Sequence, residues 1–128
     1  MILLDTCGLL ALQEGGRDLS EAARALLEAP DSEVFVSAIS AFEIGQKHGA
    51  GKLILQQAPS AWFPAMLKHH QLVELPVSAG ICTAATELPP LHKDPFDRII
   101  IATALAKKLS ILTSDKIIPT YAGVRVLW

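Results

Sequence analysis

The 128-residue sequence is poor in the features that mark several functional classes. It has only two cysteines, Cys7 and Cys82, too few for a disulfide framework and outside the close Cys/His spacing of a zinc site, so both read as reduced thiols. Aromatic side chains make up 5% of the chain, which argues against a stacking platform for single-stranded bases. Charge of one sign is not in excess: 11 Lys and Arg stand against 13 Asp and Glu, a net charge of -2. That balance excludes a uniformly basic coat for nucleic acid and confines any such contact to a local patch. No apolar run reaches the roughly 18 residues of a spanning helix, and the N-terminus has neither the basic start nor the cleavage site of a secretory signal. The expectation is a soluble, cytoplasmic protein that does not engage a membrane. Phosphate-binding loops of the G-x-G-x-x-G or P-loop type, internal repeats and long polar linkers are also missing.

What is present is apolar material, 51% of the chain, arranged in a regular alternation. Short apolar runs at Met1–Leu4, Glu33–Ser37, Leu72–Leu75, Ser110–Thr113 and Val124–Leu127 read as strands buried on two faces. Helical patterns lie between them at Leu19–Ala29, Ala41–His48, Ser60–His70, Ser78–Leu88 and Pro95–Lys108, the last apolar nearly all round and therefore mostly buried. Strands alternating with helices predict a three-layer α/β/α sandwich with a mainly parallel sheet of about five strands, in one domain spanning residues 1–128.

In such a sheet the C-terminal strand ends share one edge, where ligands bind. Acidic residues cluster in sequence at the segments that reach it. Asp5 follows the first strand, Ser40 and Glu43 open the helix after the second, Asp94 and Asp97 open the long helix, and Asp115 follows the strand end at Thr113 and Ser114. Each position also has a local explanation. Asp5 suits the cap of a helix starting at Thr6, and Ser40–Glu43 has the spacing of a capping box. Asp94-Pro95-Phe96-Asp97 has the N-cap, first-turn proline and dipole-favoured acid of a helix start, and Asp115 suits the cap of a short helix before Pro119. Capping, however, does not require the caps to converge. Like charges about 5 Å apart repel by roughly 3 kcal/mol at an effective dielectric near 20, so a convergent cluster implies a neutralising cation. Oxygen donors select a hard ion, Mg²⁺ or Mn²⁺, and such a site suits phosphodiester hydrolysis.

Several segments together resemble the PIN domain, and within it the VapC-like ribonuclease toxins of type II toxin–antitoxin pairs. They are Leu3-Leu4-Asp5-Thr6, Ser37 to Ile44 ahead of Gly51-Lys52-Leu53, the run LPPLHKDPFDRIIIATALA from Leu88 to Ala106, Leu112-Thr113-Ser114-Asp115, and the terminal Val126-Leu127-Trp128. The resemblance covers essentially the whole chain. It implies a metal-dependent endoribonuclease with Asp5, Glu43, Asp97 and Asp115 as the acidic catalytic residues and Asp5, Asp97 and Asp115 as ligands of Mg²⁺ or Mn²⁺. It also implies a cognate antitoxin and a homodimer.

Around these acids, Thr6, Thr113 and Ser114 suit hydroxyl groups that orient the carboxylates, and Asp94 stands between N-capping and a place beside the metal. Cys7 reads as a small buried thiol and His92 as a turn histidine, with phosphate contact or proton donation as the alternative. His69 and His70 end a helix, where a cation suits the dipole. Lys47, Lys52, Lys93, Arg98 and Lys116 lie close in sequence to the acidic edge and are the candidate contacts to an RNA backbone, with Arg98 alternatively pairing Asp94 one turn away. Substrate preference then belongs to the loops Gly49–Gln57 and Pro89–Lys93, favouring single-stranded segments of a structured RNA. Ile44, Leu53, Ile54, Leu55, Trp62 and Phe63 form an apolar stretch expected either to receive a partner helix or to pack the core. The alternative function is a PIN-like binding module that works with an antitoxin in promoter DNA binding.

Overall fold

In the computed structural model, which describes residues 1–128, the elements run β1 (Ile2–Leu4), α1 (Thr6–Gln13), α2 (Glu21–Glu28), β2 (Val34–Ser37), α3 (Ala38–Gly49), α4 (Pro59–His69), β3 (Val73–Leu75), α5 (Ala79–Glu87), α6 (Pro95–Lys107), β4 (Ser110–Leu112), a 3₁₀ turn (Ile118–Thr120) and β5 (Val126–Leu127). The strands form one five-stranded sheet in the order β3-β2-β1-β4-β5, every pair parallel. Leu4 lies opposite both Val36 and Leu112, so the ends of β1, β2 and β4 are level.

The continuous apolar character of β1 follows from burial on two faces. Ile2 and Leu4 join Val34, Val36 and Leu112 in a core closed by Leu9, Ala23, Ile44, Trp62, Phe63 and Met66 from α1 to α4. Leu3 and Ile111 point the other way, into a second core with Ile100, Ile101 and Ala104 of α6, Ile118 and Tyr121. These are the two interfaces of a three-layer α/β/α sandwich. Two strands depart from the expected double burial: in β3, Val73 and Glu74 are exposed, and β5 is only half-buried. They are the sheet edges, where one neighbour is missing.

The order of strands places a topological switch between β1 and β4, because the chain leaves β1 toward β2 and leaves β4 toward β5 on the opposite side. The crevice at that point is where the two central C-terminal strand ends diverge.

Local chemistry shifts some helix starts. α1 is a helix of its own, eight residues long and capped by Asp5, beyond the five stretches read from periodicity. α3 begins at Ala38 rather than Ala41, because Ser37 Oγ accepts from Ile39 N at 3.1 Å and serves as the N-cap. Ser40 and Glu43 therefore do not form a capping box; they sit one turn inside α3, buried. The turn after Asp115 is the 3₁₀ segment Ile118–Thr120, which includes Pro119 instead of ending before it. α4 ends at His69 with His70 at its C-cap. Of the two readings of the apolar stretch the structure selects the core: Ile44, Leu55, Trp62 and Phe63 are buried in the first core, Leu53 packs against it, and of the six only Ile54 is widely exposed. These side chains are consumed by packing α3 against α4 and both against the sheet.

Candidate active site

Asp5 leaves β1 directly into α1 and has two bonds that fix its carboxylate. Oδ1 accepts from Gly8 N at 2.7 Å, the capping contact, and Oδ2 accepts from Thr113 Oγ1 at the end of β4. The approach is close enough to require glycine at position 8, where an added Cβ would stand 2.8 Å from Leu112 O and 3.4 Å from Asp5 Oδ1. Thr113 Oγ1 also accepts from Asp115 N at 3.0 Å, so one hydroxyl orders acids from two strands. Capping and site formation are thus the same contact at Asp5.

Thr6, the first residue of α1, reaches across to α3. Its Oγ1 donates to Glu43 Oε1 at 2.6 Å and lies 3.1 Å from Ser40 Oγ. Glu43 Oε2 faces Lys47 Nζ at 3.2 Å, one helical turn on. The early start of α3 at Ser37 is what turns Ser40 and Glu43 inward to meet Thr6.

The third wall comes from α6. Asp94 Oδ1 caps the helix, accepting from Phe96 N at 2.8 Å and Asp97 N at 3.5 Å, with Pro95 behind it. Asp97, one turn in, points back to His92, whose Nε2 is 3.2 Å from Asp97 Oδ2 and 2.9 Å from Asp115 Oδ2. Asp115 Oδ1 accepts from Ile117 N at 2.7 Å and Ile118 N at 3.1 Å, closing the turn that follows β4.

Asp5, Glu43, Asp94, Asp97 and Asp115 thereby line one cleft of about 310 Å³, with Lys47 as its only lysine or arginine. The electrostatic consequence is visible in the acids. Burial, with the Glu43 and Asp115 charges adding to it, raises Asp5 to about 6 despite its bonds from Thr113 and Gly8. Burial and the neighbouring Asp94, Glu43 and Asp5 charges raise Asp97 to about 7, against the opposing influence of His92. For Asp115, burial works upward too but is outweighed by the His92 hydrogen bond and the Ile117 and Ile118 N–H groups, so its carboxyl titrates below the usual range. Asp5 and Asp97 are therefore carboxyl groups whose ionised form the cleft disfavours. An oxygen donor set in that condition fits a hard divalent cation. His92 Nε2 and carboxylate oxygens of Asp97 and Asp115 also lie within 4.8 Å of one another.

The structure brings together the four predicted acids and the hydroxyls of Thr6 and Thr113, but it corrects several neighbours. Ser114 lines the cleft without bonding any carboxylate. Cys7 is exposed at the cleft lip rather than buried, and the partial burial of its thiol beside the Asp5 charge pushes it up to about 11. Arg98 does not pair with Asp94. Its guanidinium is spent on backbone carbonyls: Nη1 donates to Pro89 O at 3.1 Å and His92 O at 3.0 Å, and Nη2 donates to Ala85 O at 2.8 Å and Leu88 O at 2.9 Å. Lys52 is exposed in an adjoining depression with Glu43, Lys47, Asp94 and Phe96, and Lys93 and Lys116 are exposed. His92 is the residue that sequence reasoning underrated. The only signal was its place two residues before Asp94, which gave no hint that a turn histidine would be buried between two acids.

A search of curated protein sequences finds no match. Among solved structures, the fold is similar to VapBC2 from Rickettsia felis bound to a DNA fragment from their promoter, with a TM-score of 0.72, 19% identity, and 98% of this chain and 97% of that chain covered. It is similar also to a toxin–antitoxin complex from Klebsiella pneumoniae (TM-score 0.65, 22% identity, coverage 97% and 95%) and to FitAcB from Neisseria gonorrhoeae (TM-score 0.64, 22% identity, coverage 100% and 97%). At these identities the likeness establishes the fold. The sequence itself matches the PIN domain family model over residues 2–124, and with that match, a parallel sheet ordered β3-β2-β1-β4-β5 and acids gathered at its switch point, the chain belongs to the PIN domain family.

Proposed function

We propose that the protein is a metal-dependent endoribonuclease and the toxin of a toxin–antitoxin pair. The observation that carries this reading is the convergence of Asp5, Glu43, Asp97 and Asp115 on one cleft. Asp5, Asp97 and Asp115 would hold Mg²⁺ or Mn²⁺, and when bound such an ion supplies Lewis-acid stabilisation of the phosphodiester and a lowered pKa for attacking water. The chain's own residues do the rest. Thr113 and Gly8 fix the direction of Asp5, and Thr6 fixes Glu43 so that its second oxygen stays with Lys47 at the cleft wall.

Lys52, Lys93 and Lys116 supply the exposed cations for an RNA backbone, and Arg98 leaves that set because its donors are occupied. The carboxylates make no contact that needs a particular base, so preference for single-stranded segments falls to the loops at Gly49–Gln57 and Pro89–Lys93. An antitoxin partner is supported by structural neighbours that are toxin–antitoxin complexes, and a two-fold homodimer is the commonest assembly for a chain of this kind. The Rickettsia complex is bound to promoter DNA, which favours a second reading in which the chain serves chiefly as part of a DNA-binding complex.

Sequencing RNA 5′ ends after expression of the chain and of Asp5→Asn in a cell separates the two. Discrete ends that disappear with Asp5→Asn are expected. Identical end profiles would overturn the nuclease reading in favour of the DNA-binding complex.

A further inference from the structure

We infer that His92 is a positioning residue of the acidic cleft, a fixed Nε2–H donor that clamps the Asp115 carboxylate beside Asp97 and is not itself a metal ligand. The inference starts from the backbone. Asp94 N lies 3.2 Å from His92 Nδ1 and bonds to it, and a backbone N–H can only donate. Nδ1 must then present its lone pair, which leaves the proton of the neutral ring on Nε2. That proton is donated to Asp115 Oδ2 at 2.9 Å, and Asp97 Oδ2 lies 3.2 Å from the same nitrogen without a hydrogen bond. Nε2 therefore has no lone pair to offer an ion, although its spacing from the two acids would suit one.

The ring has little freedom to do otherwise. His92 is buried, its N–H donates to Tyr121 Oη at 2.7 Å, and its carbonyl accepts from Arg98 Nη1 at 3.0 Å. Tyr121 Oη in turn donates to Pro89 O at 2.9 Å, and Arg98 ties Pro89, Leu88 and Ala85 carbonyls to the same point. Arg98 and Tyr121 thus hold the loop that holds His92. The Asp115 side chain is pinned from both ends, by His92 on Oδ2 and by Ile117 N and Ile118 N on Oδ1. Asp97 Oδ2 rests 3.2 Å from the same nitrogen, so the fixed ring and the Asp115 carboxylate bound to it form the wall against which Asp97 lies. The link to metal binding rests on the proposed function, whereas the tautomer and the clamp do not.

The test uses the intact chain with Mn²⁺. Calorimetric titration should show His92→Leu, which fills space without a donor, binding Mn²⁺ about 10- to 100-fold more weakly, as loss of an outer hydrogen-bond partner does at other metal sites. His92→Gln, which keeps an N–H near the Nε2 position, should bind close to wild type. Pulsed EPR of Mn²⁺-loaded wild type should show no directly bound imidazole nitrogen, and long-range ¹H–¹⁵N NMR of the metal-free chain should show His92 protonated on Nε2 alone. Unchanged Mn²⁺ affinity in folded His92→Leu, a directly coupled His92 nitrogen, or a proton on Nδ1 would each overturn the inference. If His92→Leu fails to fold, the two wild-type spectra and His92→Gln still decide. RNA cleavage is not among these readouts: a chain that shows the clamp and binds Mn²⁺ but cuts no RNA refutes the ribonuclease and leaves His92 in its role.

Discussion

Asp5 and Thr113, 108 positions apart in the chain, are joined by a hydrogen bond from the threonine hydroxyl to Asp5 Oδ2 across the ends of the two central strands. The same hydroxyl accepts from Asp115 N, so the β1–β4 pairing sets the position of two acids at once. Sheet register and site geometry are one feature here, and substitutions at this point should change stability and metal binding together.

Thr113→Val keeps the shape and removes the hydroxyl. It leaves Asp5 Oδ2 and Asp115 N without their partner, which should lower stability by about 1–3 kcal/mol and weaken divalent-metal binding by about 10-fold or more. Thr113→Ser should retain both. Thermal melts and Mn²⁺ titrations of the two variants check this, and a Thr113→Val protein that matches wild type in both would refute the orienting role.

Neutralising one acid should affect activity far more than folding. In the purified protein, Asp5→Asn or Asp97→Asn should reduce RNA cleavage by about 100-fold or more, the equivalent of roughly 3 kcal/mol of transition-state stabilisation. Asparagine still caps α1 at position 5, so the circular dichroism spectrum should not change. If both variants cut at the wild-type rate, neither carboxylate takes part in cleavage.

The pH dependence of the metal-free protein has a defined sign. Asp5 and Asp97 have folded-state values of about 6 and about 7, above the ordinary value of 3.8, so the folded state binds protons that the unfolded state has released. Stability is then greatest below about pH 4 as far as these two groups are concerned, falls as pH rises toward 7, and levels off above it. Asp115, shifted downward, acts in the opposite direction and only below its ordinary value. Saturating Mg²⁺ should flatten the decline between pH 4 and 7 by favouring the ionised acids. Melting curves across this range with chelator and with Mg²⁺ test it; a metal-free protein that gains stability from pH 4 to 7 would contradict the raised values.

Arg98 should behave as a loop anchor. Arg98→Met keeps the stem and removes the donors to Ala85, Leu88, Pro89 and His92 carbonyls, and a loss of about 2–4 kcal/mol is expected. Measured in an Asp97→Asn background that does not cut, RNA affinity should keep the same salt slope after Arg98→Met and lose about one unit of slope after Lys52→Ala. A reduced slope for Arg98→Met would place Arg98 on the RNA backbone after all.

Much of this architecture is legible in the linear order of residues. The runs at Ile2–Leu4, Val34–Val36 and Ile111–Leu112 announce strands buried on both faces because they contain no polar alternation, and the alternation with helices leaves a parallel sheet as the simple solution. The acids at positions 5, 43, 97 and 115 were likewise readable, since each stands at or near a strand end or helix start that a parallel sheet brings to one edge. Spacing alone did not reveal which oxygen meets which donor. Ser37 starts α3 by a local cap, but that Ser40 and Glu43 then meet the hydroxyl of Thr6, a residue of another element, is set by how α1 and α3 pack. Ile44, Trp62 and Phe63 looked equally able to form a groove or a core, and the packing of α3 on α4 decided for the core. His92 and Arg98 were the least legible. A histidine in a turn and an arginine near acids are ordinary surface residues by composition, and their roles arise only when Tyr121 and Asp115 arrive from a distant part of the chain to meet them. Local sequence determines which backbone groups are capped and which side chains are apolar, while the partners of a buried polar group are set by long-range packing, which no local pattern encodes.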